Sequence, residues 1–374
     1  MGGVFVFMRR LALVGLILLA ACGPSGRGGS ATVSPTGAPI ASSTPAEATS
    51  SPRASCRLPV AQLAPDQSQP ALRPVGFVSY PGGVLTLDQS DGIRWNREAD
   101  NYSTVRQPLL IGQDSEAYDW STQRWLPTKP SLITAGGGAY VYVSTIEPLA
   151  IHLVTEADGK DRVISTGPSQ TVLGIQGNVV YAATQNQTGP DPRSLTATVY
   201  AIDIGTGTAR RVSTSSVAWQ VVANGYAFGT DLNPADPHPL IQSPIEPGMS
   251  VAPNRLWALR LKDGVATPWL YRPGSLVEIG GVKAGGGIIT VVVNETQTQV
   301  VTMTDATTNE IIYTGPGSKS SDPLGLNSYG LNGLAVADER GFWLPTVKGI
   351  LLYRSGSGFS SAFQGQASPV GSCR

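Results

Sequence analysis

A proline-rich stretch in the second half of the chain holds side chains that could bind a metal ion. Asp231, Asp236 and His238 lie close together in the sequence, and carboxylates beside a neutral imidazole are common ligands of divalent cations. Three interspersed prolines make the stretch stiff and extended, and an exposed Asp-Pro turn accounts for the same residues. We therefore predict no metal site and keep these three side chains as candidates for contact with a ligand.

A second group of polar and aromatic side chains lies between residues 88 and 116. Asp100 and Asp114 belong to a set of carboxylates that could cleave a glycosidic bond if two of them stood about 5–10 Å apart. Trp95 and Tyr102 could pack their ring faces against a sugar or a peptide. The carboxylates match no calcium-binding loop, so solvated charge is their expected role. These four side chains are further candidates for a ligand surface.

The chain offers few combinations of residues for nucleophilic catalysis. It contains two histidines, and His152 sits in an apolar segment where a hydrogen-bonded strand histidine is expected, so a Ser-His-Asp triad has few ways to form. The glycine triplets at 136–138 and 285–287 are expected to be hairpin turns, because each joins two apolar segments and opens no helix. We predict no cofactor, and these residues argue against enzyme activity without excluding it.

The N-terminal residues resemble a bacterial lipoprotein signal. Two adjacent arginines precede an apolar run over residues 11–21, which ends in Leu-Ala-Ala directly before Cys22. The resemblance implies that residues 1–21 are a signal peptide and that Cys22 becomes the lipidated first residue of the mature chain. A plain signal peptide or an uncleaved anchor is the alternative, although the run is shorter than the roughly 20 residues that span a bilayer.

This resemblance predicts an extracytoplasmic protein held by lipid at the outer face of the plasma membrane, or at the outer membrane if there are two. Residues 22–55 consist almost entirely of Gly, Ser, Thr, Ala and Pro. Such a segment cannot bury enough apolar surface to offset the entropy of ordering. We predict a disordered tether that spans roughly 30 Å, followed by a folded domain over residues 56–374.

The charge of the chain limits its possible partners, and its cysteines indicate whether a disulfide bond forms. The chain has 26 basic and 26 acidic residues, and loss of the signal peptide with its two arginines leaves 24 against 26. The mature chain therefore lacks the basic surface that binds nucleic acid. Because an exported protein matures in an oxidising compartment, we predict a disulfide bond between Cys56 and Cys373, with two free thiols as the alternative. Nothing in the sequence indicates an oligomeric state.

From Cys56 onward, apolar segments alternate with tight turns. Asn-Gly at 224–225 and Asp-Gly at 263–264 are strong hairpin signals. Two hairpins recur in roughly every 40–50 residues, which is typical of a four-stranded propeller blade. We predict an all-β propeller of about six blades, six or seven, closed by the N- and C-terminal segments, with a β-sandwich as the alternative. The predicted blades cover residues 72–127 (outer pair 118–126), 130–166, 169–214, 216–272, 276–315 and 327–365.

One predicted hairpin also resembles a known class. Residues 199–212, VYAIDIGTGTARRV, resemble an outer hairpin of secreted bacterial propellers of the WD40-like, TolB-like and PQQ-like types. The resemblance implies the fold alone, because one fold hosts many chemistries.

Antiparallel strands place the hairpin turns of all blades on one rim and the remaining links on the other. The long links belong to the second set, and they cover residues 88–116, 185–196, 232–254 and 315–328. Function commonly resides on long loops above a rigid scaffold, although tolerated insertion also explains them. We predict a binding or scaffolding module for a protein, peptide or envelope glycan. The alternative is a surface hydrolase or lyase with carboxylates at the channel mouth.

Overall fold

The computed structural model describes residues 55–62, 75–88, 117–126, 128–144, 149–167, 170–187, 195–233, 235–236, 240–242, 249–251, 253–282, 287–326 and 335–374. All of them belong to one unit, Pro52–Arg374. They form an all-β propeller of six antiparallel blades in a ring, which confirms the predicted fold class. Within these ranges, the one helical element is a single 3-10 turn, Pro130–Leu132.

Twenty-seven strands are present in the described ranges. They are β1 (Cys56–Gln62), β2 (Val75–Tyr80), β3 (Val84–Leu87), β4 (Ala117–Asp119), β5 (Arg124–Leu126), β6 (Ala139–Val143), β7 (Ala150–Thr155), β8 (Lys160–Thr166), β9 (Gln170–Gln176), β10 (Val179–Gln187), β11 (Leu195–Asp203), β12 (Ala209–Ser215), β13 (Ala218–Ala223), β14 (Tyr226–Asp231), β15 (Leu240–Gln242), β16 (Met249–Val251), β17 (Arg255–Arg260), β18 (Val265–Tyr271), β19 (Leu276–Val282), β20 (Ile288–Val293), β21 (Gln297–Met303), β22 (Asn309–Pro316), β23 (Val336–Asp338), β24 (Gly341–Thr346), β25 (Gly349–Arg354), β26 (Gly358–Gln364) and β27 (Ala367–Pro369).

The strands group into blades in a simple order. Blade I is β27-β1-β2-β3, blade II is β6-β7-β8, blade III is β9-β10-β11-β12, blade IV is β13-β14-β17-β18, blade V is β19-β20-β21-β22 and blade VI is β23-β24-β25-β26. In blade II the first position is taken by a bridge between Ile133 and Tyr140. Two further hairpins, β4–β5 and β15–β16, form small sheets of their own.

The last strand of each blade is the most exposed strand of that blade, which explains the hydrophobic pattern. β13 and β19, in first position, are mostly buried, whereas β12 and β22, in last position, have no buried side chain. All six side chains of β20, Ile-Ile-Thr-Val-Val-Val, are buried. This follows because alternate side chains enter two different cores, with Ile288 in the core shared with blade IV and Ile289 in the core shared with blade VI.

The N- and C-terminal strands close the ring in blade I. β27 pairs with β1, where Val60 faces Pro369, and takes the position of the first strand. No hairpin turn can join these two strands, because they come from opposite ends of the domain. The disulfide bond Cys56–Cys373 stands at the end where such a turn lies in the other blades, with Cα atoms 5.5 Å apart. This confirms the predicted bond and the predicted mode of closure.

The first predicted blade, residues 72–127, is wrong in its composition. The predicted outer pair 118–126 is not part of blade I, whose last two strands are β2 and β3, and the β4–β5 hairpin stands apart. The cause is the closure itself: β1 supplies the second strand, so the blade is complete at Leu87. The other five predicted ranges coincide with blades II to VI.

The β4–β5 hairpin fills the space between blades I and II. On the blade I side, the Phe77 ring lies 4.9 Å from the Tyr118 ring and 5.4 Å from the Trp125 ring, measured between ring centres. On the other side, Leu126 shares a core with Tyr140 of blade II. The hairpin therefore packs against both blades.

The predicted signal peptide, residues 1–21, lies outside the described residues, as do Cys22 and nearly all of the predicted tether. In the part of the chain that the structure describes, no helix has the length and apolarity needed to cross a bilayer.

Candidate functional site

The two rims of the propeller differ in the connections that they carry. We call the rim with the hairpin turns the turn rim, and the rim with the remaining links the loop rim. A typical turn-rim connection is Asn224-Gly225, where φ values of 49° and 83° are those of a two-residue type I′ turn. On the loop rim, the link between β14 and β17, residues 232–254, is long enough to hold the β15–β16 hairpin.

Asp231, at the end of β14, is held by two side chains of β17. The Arg255 guanidinium donates from Nε and Nη2 to the two carboxylate oxygens at 2.7 and 2.6 Å. The Trp257 indole N–H donates to Oδ1 at 2.8 Å. Asp231 and Arg255 face each other in register, and Trp257 is on the same face because side chains alternate along a strand. A bidentate pair of this kind is strong and directional, so it fixes the base of the link.

Asp236 fixes the same link from within. The residue is 6% exposed, and its carboxylate accepts hydrogen bonds from the Asn254 side-chain amide and, at 3.0 Å, from the Gly274 N–H. Asn254 is itself 1% exposed, and its Oδ1 accepts from the Asn233 N–H at 2.8 Å. The beginning and the end of residues 232–254 are therefore tied together by buried polar groups.

The structure thus brings two of the predicted rim residues, Asp231 and Asp236, into one network at the base of the link. Both carboxylates are engaged by protein donors there, and the Asn254 N–H also donates to the Asp231 carbonyl at 3.0 Å. The third member of the motif, His238, lies outside the described residues. No group of three or more His, Cys, Asp or Glu side chains suited to a metal ion occurs among the residues that are described.

The remaining predicted ligand residues cannot be placed in this way. Trp95, Asp100, Tyr102 and Asp114 all lie outside the described residues. Their neighbours in the described part are Asp88, which follows β3 and accepts from the Trp125 indole N–H at 3.0 Å, and the first residue of β4.

A second loop-rim link is also organised by a buried carboxylate. Asp322 is 2% exposed and accepts from the backbone N–H groups of Leu324 and Leu326, both at 2.9 Å. The Tyr313 hydroxyl donates to the same carboxylate, and burial raises the pKa of that phenol. Lys348 donates to the Asp322 carbonyl at 2.7 Å. The part of the predicted link 315–328 that is described is therefore folded onto the rim of blades V and VI.

His152 matches the expectation of a hydrogen-bonded strand histidine. Its Nδ1 lies 2.9 Å from Asp161 Oδ1, and its ring stacks on Tyr142 with the ring centres 4.6 Å apart. Tyr142 donates to the other oxygen of Asp161 at 2.6 Å. Burial raises the pKa of Asp161, but hydrogen bonds from His152 and Tyr142 outweigh it and leave that pKa below its usual value. The group joins the three strands of blade II.

Sequence reasoning missed the donors of the loop-rim network. Arg255, Trp257 and Asn254 lie in or beside a strand, and their pattern alone predicts only a half-buried strand. Their one distinguishing signal is position, since they lie at or directly after the end of a long loop-rim link, residues 232–254.

Comparison with known proteins gives limited further information. No protein family model matches the chain, and no curated protein matches its sequence. The solved structures that are similar include an oligogalacturonate lyase in complex with manganese, at 11% identity and a TM-score of 0.46 over 67% of this chain and 70% of that one. An oligogalacturonate lyase from Vibrio parahaemolyticus gives 11% and 0.46 over 67% and 71%. TolB from Acinetobacter baumannii gives 14% and 0.41 over 85% and 67%. The assignment of the fold rests on the strand pairing described above.

Proposed function

We propose that this chain is a lipid-anchored extracytoplasmic propeller that binds a protein, peptide or envelope glycan through its loop rim. The observation that carries the proposal is the network at the base of residues 232–254. Asp231 with Arg255, and Asp236 with Asn254, hold the two ends of a long link on a rigid blade. Buried polar groups that hold both ends of a long loop restrict its conformations, and a binding loop gains affinity from being held in place.

The place where the N-terminal segment enters the propeller supports the same assignment. The described part of the domain begins at Ser55, directly before β1, and the Cys56–Cys373 bond belongs to the turn rim. An anchor attached through the N-terminal segment would therefore join the propeller at the turn rim. The loop rim is the opposite rim, so attachment at the turn rim would leave it free to bind partners in the envelope.

Replacement of the tip of the link tests the proposal. Residues 237–252 are exchanged for a short Gly-Ser linker, so that Asp231, Asp236, Asn254 and Arg255 stay in place. The matched control replaces the turn-rim connection 304–308 in the same way. Purified full-length proteins are incubated with solubilised envelope proteins and with sheared cell-wall glycan, and bound material is quantified. We expect the loop-rim variant to lose binding and the turn-rim variant to keep it. Equal binding by both variants would contradict the proposal.

Lipid attachment requires its own test. Cells that express the wild type or Cys22→Ser are labelled with a radioactive fatty acid, and the protein is followed in membrane and soluble fractions. We expect the label and the membrane association in the wild type only. Incorporation of the label into both proteins would contradict acylation at Cys22.

A further inference from the structure

Two carboxyl groups meet where the β4–β5 hairpin contacts blade II. Asp119 is the last residue of β4, and Glu156 directly follows β7. The two residues are 5% and 6% exposed, so both are more than nine-tenths buried. Both bond the backbone of Gly138, whose N–H donates to Asp119 Oδ2 at 2.9 Å and whose carbonyl accepts from the Glu156 N–H at 2.9 Å. At this separation each carboxyl group also acts on the pKa of the other. Two neighbouring buried carboxyl groups cannot both ionise without a large electrostatic cost.

Asp119 is the member of the pair that is ionised. Its Oδ1 accepts from the Ser121 N–H at 2.7 Å and its Oδ2 from the Gly138 N–H at 2.9 Å. Burial raises its pKa, but these backbone hydrogen bonds outweigh the burial and the resulting pKa is lowered. Gly137, with a φ of +71°, packs against the carboxylate so closely that a Cβ there would lie 2.6 Å from Oδ2. The carboxylate is therefore enclosed by backbone.

Glu156 carries an oxygen that has no hydrogen-bond partner among the described residues. Its Oε2 accepts from the Thr122 hydroxyl, whereas the buried Oε1 is unpartnered. The Arg124 guanidinium is near, but it donates to the Glu156 backbone carbonyl at 3.0 Å. An acceptor buried without a donor is costly. A proton on Oε1 removes this cost, because the group then becomes a donor that can reach Asp119.

We propose that Asp119 and Glu156 share one proton and form a pH-sensitive fastening between the β4–β5 hairpin and blade II. When the proton leaves to solvent, two negative charges face each other in a buried contact and the hairpin is held less firmly. The other charged or titratable groups around the pair are Arg124 on β5 and Tyr140 on β6. Arg124 favours the ionised form of Glu156 and offsets part of the repulsion, whereas Glu156 contributes to the raised pKa of the Tyr140 phenol.

The pH range follows from the same environment. Burial, with a smaller contribution from Asp119, raises the pKa of Glu156 to about 7, from 4.5 in an exposed glutamate. At a pH between 4.5 and about 7, Glu156 is protonated in the closed hairpin and ionised in the open one, so opening of the hairpin releases a proton. The equilibrium constant for opening should therefore rise by up to about tenfold per pH unit from pH 5 to 7 and level off above 7.

The β4–β5 hairpin also contacts the C-terminal segment that closes the ring. The Trp120 indole N–H, at the end of the same hairpin, donates to the Ser372 carbonyl at 2.8 Å, and the Tyr118 N–H donates to the Val370 carbonyl at 3.0 Å. Loosening of the hairpin from blade II would thus loosen the contacts that hold the C-terminal segment beside Cys373.

Hydrogen exchange of the intact, full-length protein tests the proposal. Exchange in peptides that cover residues 117–126 is followed from pH 5 to 8 and corrected for the intrinsic rate. We expect protection in the wild type to fall by about tenfold or more over this range. In Glu156→Gln, whose amide can donate to Asp119 at every pH, protection should stay constant. Peptides from β11 in blade III are the internal control and should show no difference between the two proteins.

Infrared difference spectra report the proton directly. A protonated carboxyl band should be present at pH 5, disappear as the pH rises to 8, and be absent from that transition in Glu156→Gln. Should Glu156→Gln fail to fold, Thr122→Val serves instead: loss of the hydroxyl that favours the ionised form should move the midpoint of the band to higher pH. Constant protection in the wild type would overturn the proposal.

Discussion

At the scale of single residues, a largely buried ion pair holds the link on the loop rim in place. The Asp231 side chain is 8% exposed and that of Arg255 is 22% exposed, so their ion pair is shielded from water. Pairs on the surface behave differently: Lys319 and Glu295 also meet at 2.6 Å, but their side chains are 64% and 61% exposed. Shielding strengthens the attraction and also makes the loss of one partner costly.

Arg255→Ala should lower the free energy of unfolding by about 2 kcal/mol. The substitution removes both hydrogen bonds from the guanidinium and leaves Asp231 with the Trp257 indole as its remaining side-chain donor on β17. Chemical denaturation of the two proteins measures the difference.

Lys319→Ala is the control for this substitution, because it breaks an ion pair of the same length at the surface. It should change stability by less than about 0.5 kcal/mol. A loss of equal size in both variants would show that the Asp231 pair has no special role.

At the scale of elements, close approach of strands requires glycine at defined positions. Gly341 begins β24 with a φ of +135°, and a Cβ there would lie 2.0 Å from the Tyr353 carbonyl oxygen of β25. Gly356 has a φ of +75° in the turn between β25 and β26, and a Cβ there would have no neighbour within 4 Å. Both glycines have a positive φ that L side chains rarely adopt, and they differ in the space around them.

Gly341→Ala should therefore destabilise the protein by about 3 kcal/mol or more, because β24 and β25 must separate. Gly356→Ala should cost about 1 kcal/mol, since only backbone strain opposes it. Thermal unfolding of both variants provides the comparison. If the two glycines tolerate alanine equally well, β24 and β25 are not paired as described.

The sequence predicts a hairpin well where the residue types of its own turn identify it. Asn224-Gly225 and Asp263-Gly264 mark their hairpins because their residue types suit positive φ values, and five of the six predicted blades coincide with blades in the structure. The first blade failed because its strand partners are Cys56–Gln62 and Ala367–Pro369, which no local pattern connects. Asp119 and Glu156 could not be predicted either, since a turn carboxylate in the sequence looks the same whether it is solvated or buried.

At the scale of the whole molecule, the ring is closed by three strands from one end of the domain and one strand from the other. The disulfide bond Cys56–Cys373 joins residues that are 317 positions apart. In the unfolded state it restricts the conformations of nearly the whole domain, and its loss removes that restriction. Asp338 on β23 accepts from the Cys373 N–H at 2.9 Å, which holds the same end without a covalent bond.

The double variant Cys56→Ser, Cys373→Ser should retain the fold and lose stability. The chain-entropy description gives roughly 5 kcal/mol for a loop of this length, and measured values are commonly smaller. Denaturant titration of the oxidised wild type, the reduced wild type and the double variant measures the loss, and the last two should agree. If the three proteins unfold at the same denaturant concentration, the bond does not close the ring.

Position-specific cross-linking in cells tests the central claim, that partners meet the loop rim and not the turn rim. A photoreactive amino acid is placed at Ala235, exposed on the link above Asp231, and in a second protein at Lys262, exposed on the turn rim. Both proteins are irradiated in living cells and their adducts are compared by mass. We predict adducts with envelope partners from position 235 and none of comparable yield from position 262. The reverse pattern would contradict the account.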